Sequence, residues 1–575
     1  MYLEKLNDNK KLKELNIPEL KILAEEIREK IIKTVSKNGG HLSANLGAVE
    51  LTTAIHYVFD LPTDKLLFDV GHQCYTHKIL SGRNEAFATL RTEDGIAGFT
   101  AIGESEYDAF TSGHAGNSLA ASLGYAAARD INGENYKIID LIGDASFTNG
   151  VTLEAFSASG TKPDNFVLIV NDNGMSIAKN ENEFFETAIK NAAISENSEN
   201  VKDNMITAAG FRKIYSADGN DIEELISVLS KIKKETCPVF LLVKTVKGKG
   251  YKEAELHPDR YHAVGENLSA PESKYVETAG KTVSLLAEKD KRIVAITAGM
   301  KAGTGLACYA EEHKDRFIDA GIAEEYAVTL AAGMAAGGLK PFVFAYSTFL
   351  QRAYDQIVHD VCIANLPVVF CVNRAGVVGT DGVTHQGAFD LSYLTHIPNM
   401  TVLAPKDDKD LEAAINYAVT LDSPVAIRYP SGSGAEYSAH KPFDVSWEKV
   451  KEGTDCTILA VGGRMLSVAL SLEKYGINAA VYSARSVKPL DENVLKNLSG
   501  YVFTLEENSL IGGFGSAVCE YAANNDLDVK VKTFGLKDEF VRHASIERQF
   551  EFSGIDEKSV SGEILKTLSK QNSDK

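Results

Sequence analysis

Asp144 and Asn173 are the residues of this sequence whose types and spacing best suggest a metal site. Each lies just beyond a predicted buried strand, at 136–142 and 166–170, and a predicted helix at 148–159 separates the two strands. Parallel strands joined by one crossover end at the same edge of a sheet. A carboxylate and an amide oxygen would converge there, and such hard oxygen ligands suit Mg²⁺. Alternatively, Gly-Asp and Asn-Asp-Asn are ordinary turn sequences.

Glu324 is a second residue with the potential for chemistry. It follows a predicted strand that ends at 317–319, and it opens a predicted helix at 323–337. A glutamate in a dry pocket has a raised pKa and can take part in proton transfer near neutral pH. Alternatively, Glu324 and Glu325 are first-turn acids that the helix dipole favours.

Alternating strand and helix patterns predict the elements that position these residues. We expect an α/β protein of three successive doubly wound domains with mainly parallel sheets, at 1–271, 272–440 and 441–575. Besides the elements above, the second domain is predicted to contain strands at 341–346, 367–373, 401–404 and 424–429, and helices at 348–364, near Ala388 and from Asp407. The third is predicted to contain strands at 457–461, 479–483, 501–505 and 529–533. The polar, Asn-rich and Ser-rich segment at 179–204 predicts a mobile surface excursion.

Composition limits the classes of function. The 79 acidic and 60 basic residues give a net charge of −19, which argues against a nucleic-acid or anionic-membrane partner. The seven cysteines are scattered without a CxxC pair, so we expect buried reduced thiols. The first residues have no apolar core for a signal peptide, and no later run reaches membrane-spanning length. We therefore expect a cytoplasmic protein.

Long ordered motifs carry a resemblance to a known family. They are GGHL (39–42), FDVGHQCYTHKILSGR (68–83), GIAE (321–324), YSTFLQRAYDQIVHDV (346–361), RAGVVGTDGVTHQGAFDLSYL (374–394) and RYP (428–430). With them, nearly the whole chain resembles the 1-deoxy-D-xylulose-5-phosphate synthases, thiamine diphosphate enzymes of the transketolase superfamily. The Asp144–Asn173 pair then resembles the thiamine diphosphate signature, with Ala145 in place of its second glycine.

The resemblance implies a site for thiamine diphosphate and Mg²⁺. Asp144, Asn173 and the backbone carbonyl of Met175 would hold the metal, Glu324 would activate the cofactor, and Phe349 would stack on its aminopyrimidine. Lys247 is a candidate diphosphate contact or else a solvated lysine. Further cofactor-binding positions are His72, Gly113, His114, Ala115, Ala145, Ser146, Ile177 and Ile322, the last two being plain core residues on the alternative interpretation.

The resemblance also implies a reaction and its substrates. Pyruvate and D-glyceraldehyde 3-phosphate would condense, with loss of carbon dioxide, to 1-deoxy-D-xylulose 5-phosphate, a precursor of isoprenoids, thiamine and pyridoxal. His41, His72, His262 and His385 would be catalytic, as imidazoles that titrate near neutral pH, although most histidines are structural or surface residues; His77, His114 and His359 stay open. Substrate-binding residues would be Tyr346, Arg352, Arg374, Asp381, His385 and Arg428, although an arbitrary arginine more often forms a surface ion pair. A homodimer is expected.

Several residues depart from the family pattern. They are Ala145, Gly174, Glu325, Tyr326, Asn373, Ser431 and the GHAGNS segment at 113–118. These departures leave the acceptor aldehyde open. The alternatives are a transketolase-type ketol transfer, a divergent synthase that uses another aldehyde, and a paralogue that binds cofactor without turnover.

Overall fold

The computed structural model describes residues 2–6, 9–158, 162–175, 182–195, 203–269, 273–432, 434, 437 and 442–573. The chain forms two compact units. Unit 1 consists of Met1–Pro271 with Gly321–Ala323, and unit 2 of Glu272–Ala320 with Glu324–Lys575.

Unit 1 is built on a parallel sheet with the strand order β2-β3-β4-β6-β5. Its strands are β1 (Gly40–His41), β2 (Lys65–Phe68), β3 (Ile138–Gly143), β4 (Phe166–Asp172), β5 (Lys213–Asp218), β6 (Val239–Lys244) and β7 (Ala263–Val264), of which β1 and β7 form a separate antiparallel pair. The helices of eight or more residues are Ile17–Asn38, Val49–Val58, Ser118–Asn132, Gly150–Ser157 and Ile222–Ile232.

The apolar run of β3 explains why helices cover both faces of this sheet. Ile139 and Leu141 point into one hydrophobic core, whereas Ile138 and Ile142 point into another. Successive side chains of a strand alternate between faces, so a strand with apolar side chains on both faces is buried on both sides.

Unit 2 contains two further mainly parallel sheets. The first has the order β17-β12-β13-β11-β10-β8-β9 and the second β14-β16-β15-β18-β19; β17 and β14 pair antiparallel at sheet edges. The strands are β8 (Ile293–Thr297), β9 (Phe317–Asp319), β10 (Lys340–Tyr346), β11 (Val369–Asn373), β12 (Thr401–Leu403), β13 (Val425–Arg428), β14 (Glu448–Lys451), β15 (Cys456–Ala460), β16 (Ala479–Ser483), β17 (Ser486–Lys488), β18 (Gly500–Ser509) and β19 (Val529–Leu536). The helices of eight or more residues are Lys274–Lys289, Glu324–Ala336, Asp408–Ala418, Gly462–Ser471, Phe514–Asn524, Ile546–Ser553 and Glu557–Ser573. The predicted α/β class with mainly parallel sheets is confirmed.

Some predicted helices differ from the observed ones. The predicted helix at 148–159 is the shorter helix Gly150–Ser157, because the Asn149 side chain caps it by accepting a hydrogen bond from the Val151 N–H, and a separate short helix, Asp144–Phe147, precedes it. The predicted helix at 348–364 is a succession of short α, 3₁₀ and π segments from Ser347–Leu350 to Ile357–Cys362. Sequence patterning missed the strands β1, β2, β5, β6 and β7 of unit 1 and the strands β8, β14 and β17 of unit 2.

The prediction of a mobile excursion at 179–204 is wrong for residues 182–195. Phe185–Lys190 and Asn191–Ser195 are helical, and Phe185, Ile189 and Ala193 are buried in a core of unit 1. The few apolar residues of this polar segment are spaced to share one helix face, and that face packs into the core of unit 1.

The cysteines are all free, as expected from their spacing. Cys74, Cys362, Cys371 and Cys456 are buried, but Cys308 is exposed, so the expectation of burial is wrong there. None of the described helices combines the length and apolar character needed to cross a membrane.

Candidate functional site

The carboxyl ends of three strands of unit 1, β3, β4 and β6, lie at one edge of its sheet. Gly143 of β3 is in register with Asn171 of β4, and Asp172 of β4 with Lys244 of β6. Asp144 and Asn173 therefore follow the ends of neighbouring parallel strands at one edge of the sheet, and the convergence of their side-chain oxygen atoms stays a prediction.

Local hydrogen bonds orient the predicted metal ligands. Asp144 begins a short helix and is 1% exposed. The Asn173 Oδ1 accepts a hydrogen bond from the Met175 N–H at 3.0 Å, which draws the two residues into one tight turn. An amide oxygen has a second lone pair that stays available to a metal. A carboxylate, an amide oxygen and a backbone carbonyl are a donor set that fits Mg²⁺. Ile177 lies outside the described residues.

Lys247 is buried in unit 1 rather than solvated. It is 6% exposed, and burial lowers the pKa of its ammonium group to about 8, while the charges of Asp144 and Asp259 act in the opposite direction. The interpretation of Lys247 as a solvated lysine is therefore wrong. A buried cation beside Asp144 suits a ligand that carries negative charge.

Three predicted histidines form a triangle in unit 1. The ring centroids of His41 and His262 lie 5.4 Å apart, those of His72 and His262 5.8 Å, and those of His41 and His72 6.2 Å. In the described part of the chain, the buried Nδ1 atoms of His72 and His262 have no hydrogen-bond partner. Buried polar atoms without partners are costly, and a polar ligand would satisfy these two.

The expectation that these imidazoles titrate near neutral pH is wrong for two of them. Desolvation, with the charge of Lys247, lowers the pKa of His72 to about 3. The pKa of His262 is also held well below its usual value, chiefly by desolvation. Both rings are therefore neutral near pH 7, and each can donate one hydrogen bond and accept another.

The other predicted cofactor positions of unit 1 surround the same sheet edge. Gly113, His114 and Ala115 lie in the loop before helix Ser118–Asn132, and Ala145 and Ser146 lie in the short helix that Asp144 begins. Ile322 is fixed by its carbonyl oxygen, which accepts a hydrogen bond from the Asn149 Nδ2 at 2.8 Å.

Glu324 starts helix Glu324–Ala336 in unit 2 and is 6% exposed. Burial raises the pKa of its carboxyl group to about 7, although the Arg352 guanidinium, 3.4 Å from its Oε2, acts in the opposite direction. An exposed first-turn acid would have a lowered pKa, because the helix dipole stabilises its charge. The raised pKa predicted for this residue is confirmed, and Arg352 is placed beside it.

A row of side chains in unit 2 joins Arg374 to His385. The Arg374 guanidinium lies 4.2 Å from the centroid of the Tyr346 ring and pairs with Asp381 at 3.2 Å. Tyr346 stacks on Phe349 at 5.5 Å, and Phe349 meets His385 edge-on at 5.5 Å. Tyr346 and Asn373 are register partners in β10 and β11, so the row begins where two neighbouring strands end.

Arg428 ends β13, the strand next to β11, and is 5% exposed. Its Nε donates to Asp390 at 3.0 Å and its Nη2 to the Glu507 carbonyl oxygen at 3.2 Å. The surface ion pair that is usual for an arginine is excluded here, since the pair with Asp390 is buried.

Sequence reasoning missed a buried hydrogen-bond network at the edge of the unit 1 sheet. The Asn171 Nδ2 donates to the Gln73 Oε1 at 2.9 Å, and the Thr245 Oγ1 donates to the Asn171 Oδ1 at 2.6 Å. The signal was present, because each residue is polar and lies at or near the end of an apolar run.

The departures from the family pattern occupy different environments. Tyr326 is 56% exposed, whereas Asn373 is buried and donates from its Nδ2 to the Gly303 carbonyl oxygen at 3.1 Å. Gly174 has a φ of +69°, a conformation that suits glycine. The Ser431 carbonyl oxygen accepts a hydrogen bond from Arg464 at 2.9 Å.

Comparison with known proteins identifies the family. Residues 3–205 match the family model described as 1-deoxy-D-xylulose-5-phosphate synthase. The chain is 42% identical to the 1-deoxy-D-xylulose-5-phosphate synthase of Clostridium tetani, over 98% of this chain and 99% of the relative. The chain belongs to the 1-deoxy-D-xylulose-5-phosphate synthase family. The family member of Carboxydothermus hydrogenoformans is also 42% identical, over 99% of both chains.

Two further family models match later parts of this synthase-family chain. Residues 272–435 match the transketolase pyrimidine binding domain, and residues 446–560 the transketolase C-terminal domain. Among solved structures, the transketolase of Campylobacter jejuni is 20% identical with a TM-score of 0.43, over 96% of this chain and 100% of that one. The transketolase-like fold rests on the family models rather than on so low a TM-score.

Proposed function

We propose that this protein condenses pyruvate with D-glyceraldehyde 3-phosphate to 1-deoxy-D-xylulose 5-phosphate and carbon dioxide, with thiamine diphosphate and Mg²⁺ as cofactors. Membership of the synthase family supports the proposal. The observation that carries it is Glu324, a buried carboxyl group with a pKa of about 7. Such a group can hold or release a proton at physiological pH, as activation of thiamine diphosphate requires.

In unit 1, the sheet edge provides the diphosphate and metal site. Asp144, Asn173 and the Met175 carbonyl oxygen hold Mg²⁺, and the buried ammonium of Lys247 neutralises diphosphate charge. The donor set and the burial of Lys247 support these assignments. Gly113, His114, Ala115, Ala145 and Ser146 line the same edge.

In unit 1, the histidine triangle hydrogen-bonds the substrate's oxygen atoms. With their lowered pKa, His72 and His262 act as neutral hydrogen-bond donors to developing negative charge. Because His72 and His262 are neutral, these two rings do not trap an anionic substrate in an ion pair.

In unit 2, Glu324 hydrogen-bonds the cofactor's aminopyrimidine and Phe349 stacks against that ring. Thiamine diphosphate, when bound, supplies the electron sink for decarboxylation. Arg352 keeps part of the Glu324 population ionised, because its charge opposes the effect of burial on that pKa. In unit 1, Ile322 supports the cofactor, and its carbonyl oxygen is held by the Asn149 side chain.

The acceptor's phosphate is bound in unit 2 by Arg374, with Tyr346 and Arg428. Arg374 lies on the Tyr346 ring and is oriented by Asp381, so its planar fork is pre-organised for a dianion. A chain with a net charge of −19 needs such local cations to hold an anionic substrate.

The domain division at 1–271, 272–440 and 441–575 is part of the proposal. The boundary between the two compact units and the separate transketolase models support it. Strand β17, from the third domain, completes the sheet of the second. We also propose that the protein is a homodimer and that it acts in the cytoplasm.

Product identification tests this function. The purified chain is incubated with thiamine diphosphate, Mg²⁺, pyruvate and either D-glyceraldehyde 3-phosphate or other aldehydes, and the products are identified by mass spectrometry. The proposal predicts 1-deoxy-D-xylulose 5-phosphate as the main product. Faster product formation from another aldehyde would identify a divergent synthase, for which the buried Asn373 and the Ser431 position are the supporting observations. A product formed only from a ketose phosphate donor would identify ketol transfer instead.

A further inference from the structure

Asp69 is a fully buried aspartate at the same sheet edge of unit 1 as the predicted metal ligands. It directly follows β2, and its backbone N–H donates to the Leu141 carbonyl oxygen at 2.9 Å. Its side chain is 0% exposed. A buried carboxylate is costly unless hydrogen bonds satisfy it, so the partners of this group indicate its role.

Backbone N–H groups of the Gly113–Ser118 loop satisfy the carboxylate. The Gly116 N–H lies 3.0 Å from Oδ1 and 2.9 Å from Oδ2, and the Ser118 N–H lies 3.1 Å from Oδ2. Ser118 is the first residue of helix Ser118–Asn132, whose cap residue Asn117 makes no side-chain capping bond. Asp69 therefore supplies the cap from outside the helix.

The close approach of the loop depends on glycine. Gly116 has a φ of +89°, and a Cβ there would lie 2.1 Å from the Asn149 Oδ1. A side chain at this position would be strained and would clash with Asn149, so glycine lets the backbone aim the Gly116 N–H at the carboxylate.

Asp69 also reaches the segment that carries Asp144. Its backbone N–H bonds Leu141 of β3, the strand that ends just before Asp144. Burial raises the pKa of the Asp69 carboxyl group, and the Ser146 side chain, two residues beyond Asp144, is among the nearby polar groups that act in the opposite direction. Asp69 thus lies between the loop with Gly113, His114 and Ala115 and the short helix with Asp144 and Ser146.

The turn after Asp69 is strained and leads directly to His72. Val70 has a φ of +60°, which is unusual for a β-branched residue, and the Gly71 N–H donates to the Asp69 carbonyl oxygen at 2.6 Å. Strained backbone persists where its surroundings over-determine it, commonly at functional sites. The bonds of the Asp69 side chain are part of those surroundings.

A purely structural role is the alternative. Glu506, in β18, accepts hydrogen bonds from the Phe514 and Gly515 N–H groups and so caps helix Phe514–Asn524 in the same manner. Capping alone therefore does not imply function. Asp69 differs because the three segments it joins carry His72, the Gly113–Ala115 positions and Asp144.

We propose that Asp69 is a positioning residue for the cofactor: its carboxylate fixes the relative placement of these three segments, and so sets the affinity for the diphosphate and its metal. The proposal rests on the proposed function, because it takes those segments as the diphosphate site. Asp69 itself touches neither cofactor nor substrate.

Asp64 offers a matched control at the opposite end of the same strand. It precedes β2, is 8% exposed, and accepts hydrogen bonds from the Lys137 and Asp60 N–H groups, both at 2.9 Å. Asp64→Asn thus removes a buried carboxylate with the same kind of partners, but at the far edge of the sheet.

The test measures the dissociation constant of thiamine diphosphate at saturating Mg²⁺ by calorimetry, and the melting temperature without cofactor. Asp69→Asn keeps the shape of the side chain but turns an amide N–H₂ toward the Gly116 and Ser118 N–H groups, which are themselves donors. The loop is then held less firmly, so we expect about 10- to 100-fold weaker cofactor binding. Asp64→Asn should lower the melting temperature and leave the dissociation constant within about threefold of wild type, the scatter of such measurements. For Asp69→Asn, the turnover number should recover at saturating cofactor.

Unchanged cofactor affinity in Asp69→Asn, or an equal loss in Asp64→Asn, would overturn the proposal. If Asp69→Asn does not fold, Asp69→Ser, which keeps one oxygen acceptor, carries the same expectation. Weakened binding in Asp69→Asn together with a wild-type protein that makes no product would refute the proposed function while the positioning role stands. A wild-type chain that does not bind thiamine diphosphate would refute both.

Discussion

Replacement of Glu324 by glutamine should change how the stability of unit 2 depends on pH. Burial raises the pKa of Glu324 from 4.5 to about 7 in the folded protein. The protonated carboxyl group is therefore the form that the folded state favours. Its stabilising contribution is fully present below about pH 4.5 and is lost as the pH rises through about 7.

The size of the effect follows from the pKa. At about 1.4 kcal/mol for each tenfold change in proton affinity, the full contribution is roughly 3 kcal/mol. Between about pH 5 and about pH 8, the wild-type protein should lose about 2 to 3 kcal/mol of unfolding free energy through this group. Glu324→Gln is neutral at every pH, so it should not show this loss.

The single tryptophan of the chain provides the assay. Trp447 is buried, donates from its indole N–H to the Ser486 carbonyl oxygen at 2.7 Å, and lies in the same core as Ala327 and Val328 of the helix that Glu324 begins. Its fluorescence during urea unfolding reports the stability of this core. Glu277→Gln, which replaces an exposed first-turn acid of helix Lys274–Lys289, is the matched control.

We expect the stability difference between Glu324→Gln and wild type to grow in favour of the variant from about pH 5 to about pH 8. Glu277→Gln should run parallel to wild type over the same range. The claim that burial raises the pKa of Glu324 would be refuted if the unfolding free energy of Glu324→Gln also ran parallel to that of wild type as the pH rises. It would equally be refuted if the unfolding free energy of the variant fell further below that of wild type.

Three further substitutions test the site. Glu324→Ala should bind thiamine diphosphate in calorimetry but make product about 10²- to 10⁴-fold more slowly, as loss of a proton-transfer group predicts; unchanged turnover would remove Glu324 from the mechanism. Asp144→Asn should raise the Mg²⁺ concentration needed for cofactor binding by about 10- to 100-fold, and an unaltered Mg²⁺ titration would argue against its role as a ligand. Arg374→Ala should raise the KM for D-glyceraldehyde 3-phosphate by about 10- to 100-fold through lost charge-assisted hydrogen bonds, with little effect on the KM for pyruvate. The control is Arg292→Ala, which breaks only an exposed pair with Asp290; equal effects of the two substitutions would contradict the assignment.

The sheets of the fold could largely be predicted from the sequence. Runs such as 166–170 are apolar throughout, which fixes a strand buried on both faces, and the crossover rule then places Asp144 beside Asn173. The strands that were missed include the short edge strands β14 and β17, which have no such apolar run, and also β1, β2, β5, β6, β7 and β8. Tertiary pairing, not local pattern, forms the two edge strands.

The candidate site was less predictable in its electrostatics than in its composition. The residue types of His72, His262 and Lys247 were visible, but their lowered pKa values depend on how much water the fold removes and on the proximity of one cation to two rings. Neither quantity can be read from residue spacing.

The hydrogen bonds that hold the candidate site in place could not be predicted from the sequence either. Asp69 and Asn171 act through partners that are distant along the chain, such as Gly116 and Thr245. Each looks like an ordinary polar residue at a strand end until the loops around it are in place.

Carbon dioxide release is the most direct test of the proposed reaction. The wild-type chain, loaded with thiamine diphosphate and Mg²⁺, is given carboxyl-labelled pyruvate with and without D-glyceraldehyde 3-phosphate, and released carbon dioxide is compared with product. One carbon dioxide should be released for each 1-deoxy-D-xylulose 5-phosphate formed when both substrates are present. No pyruvate-dependent release under either condition would contradict it.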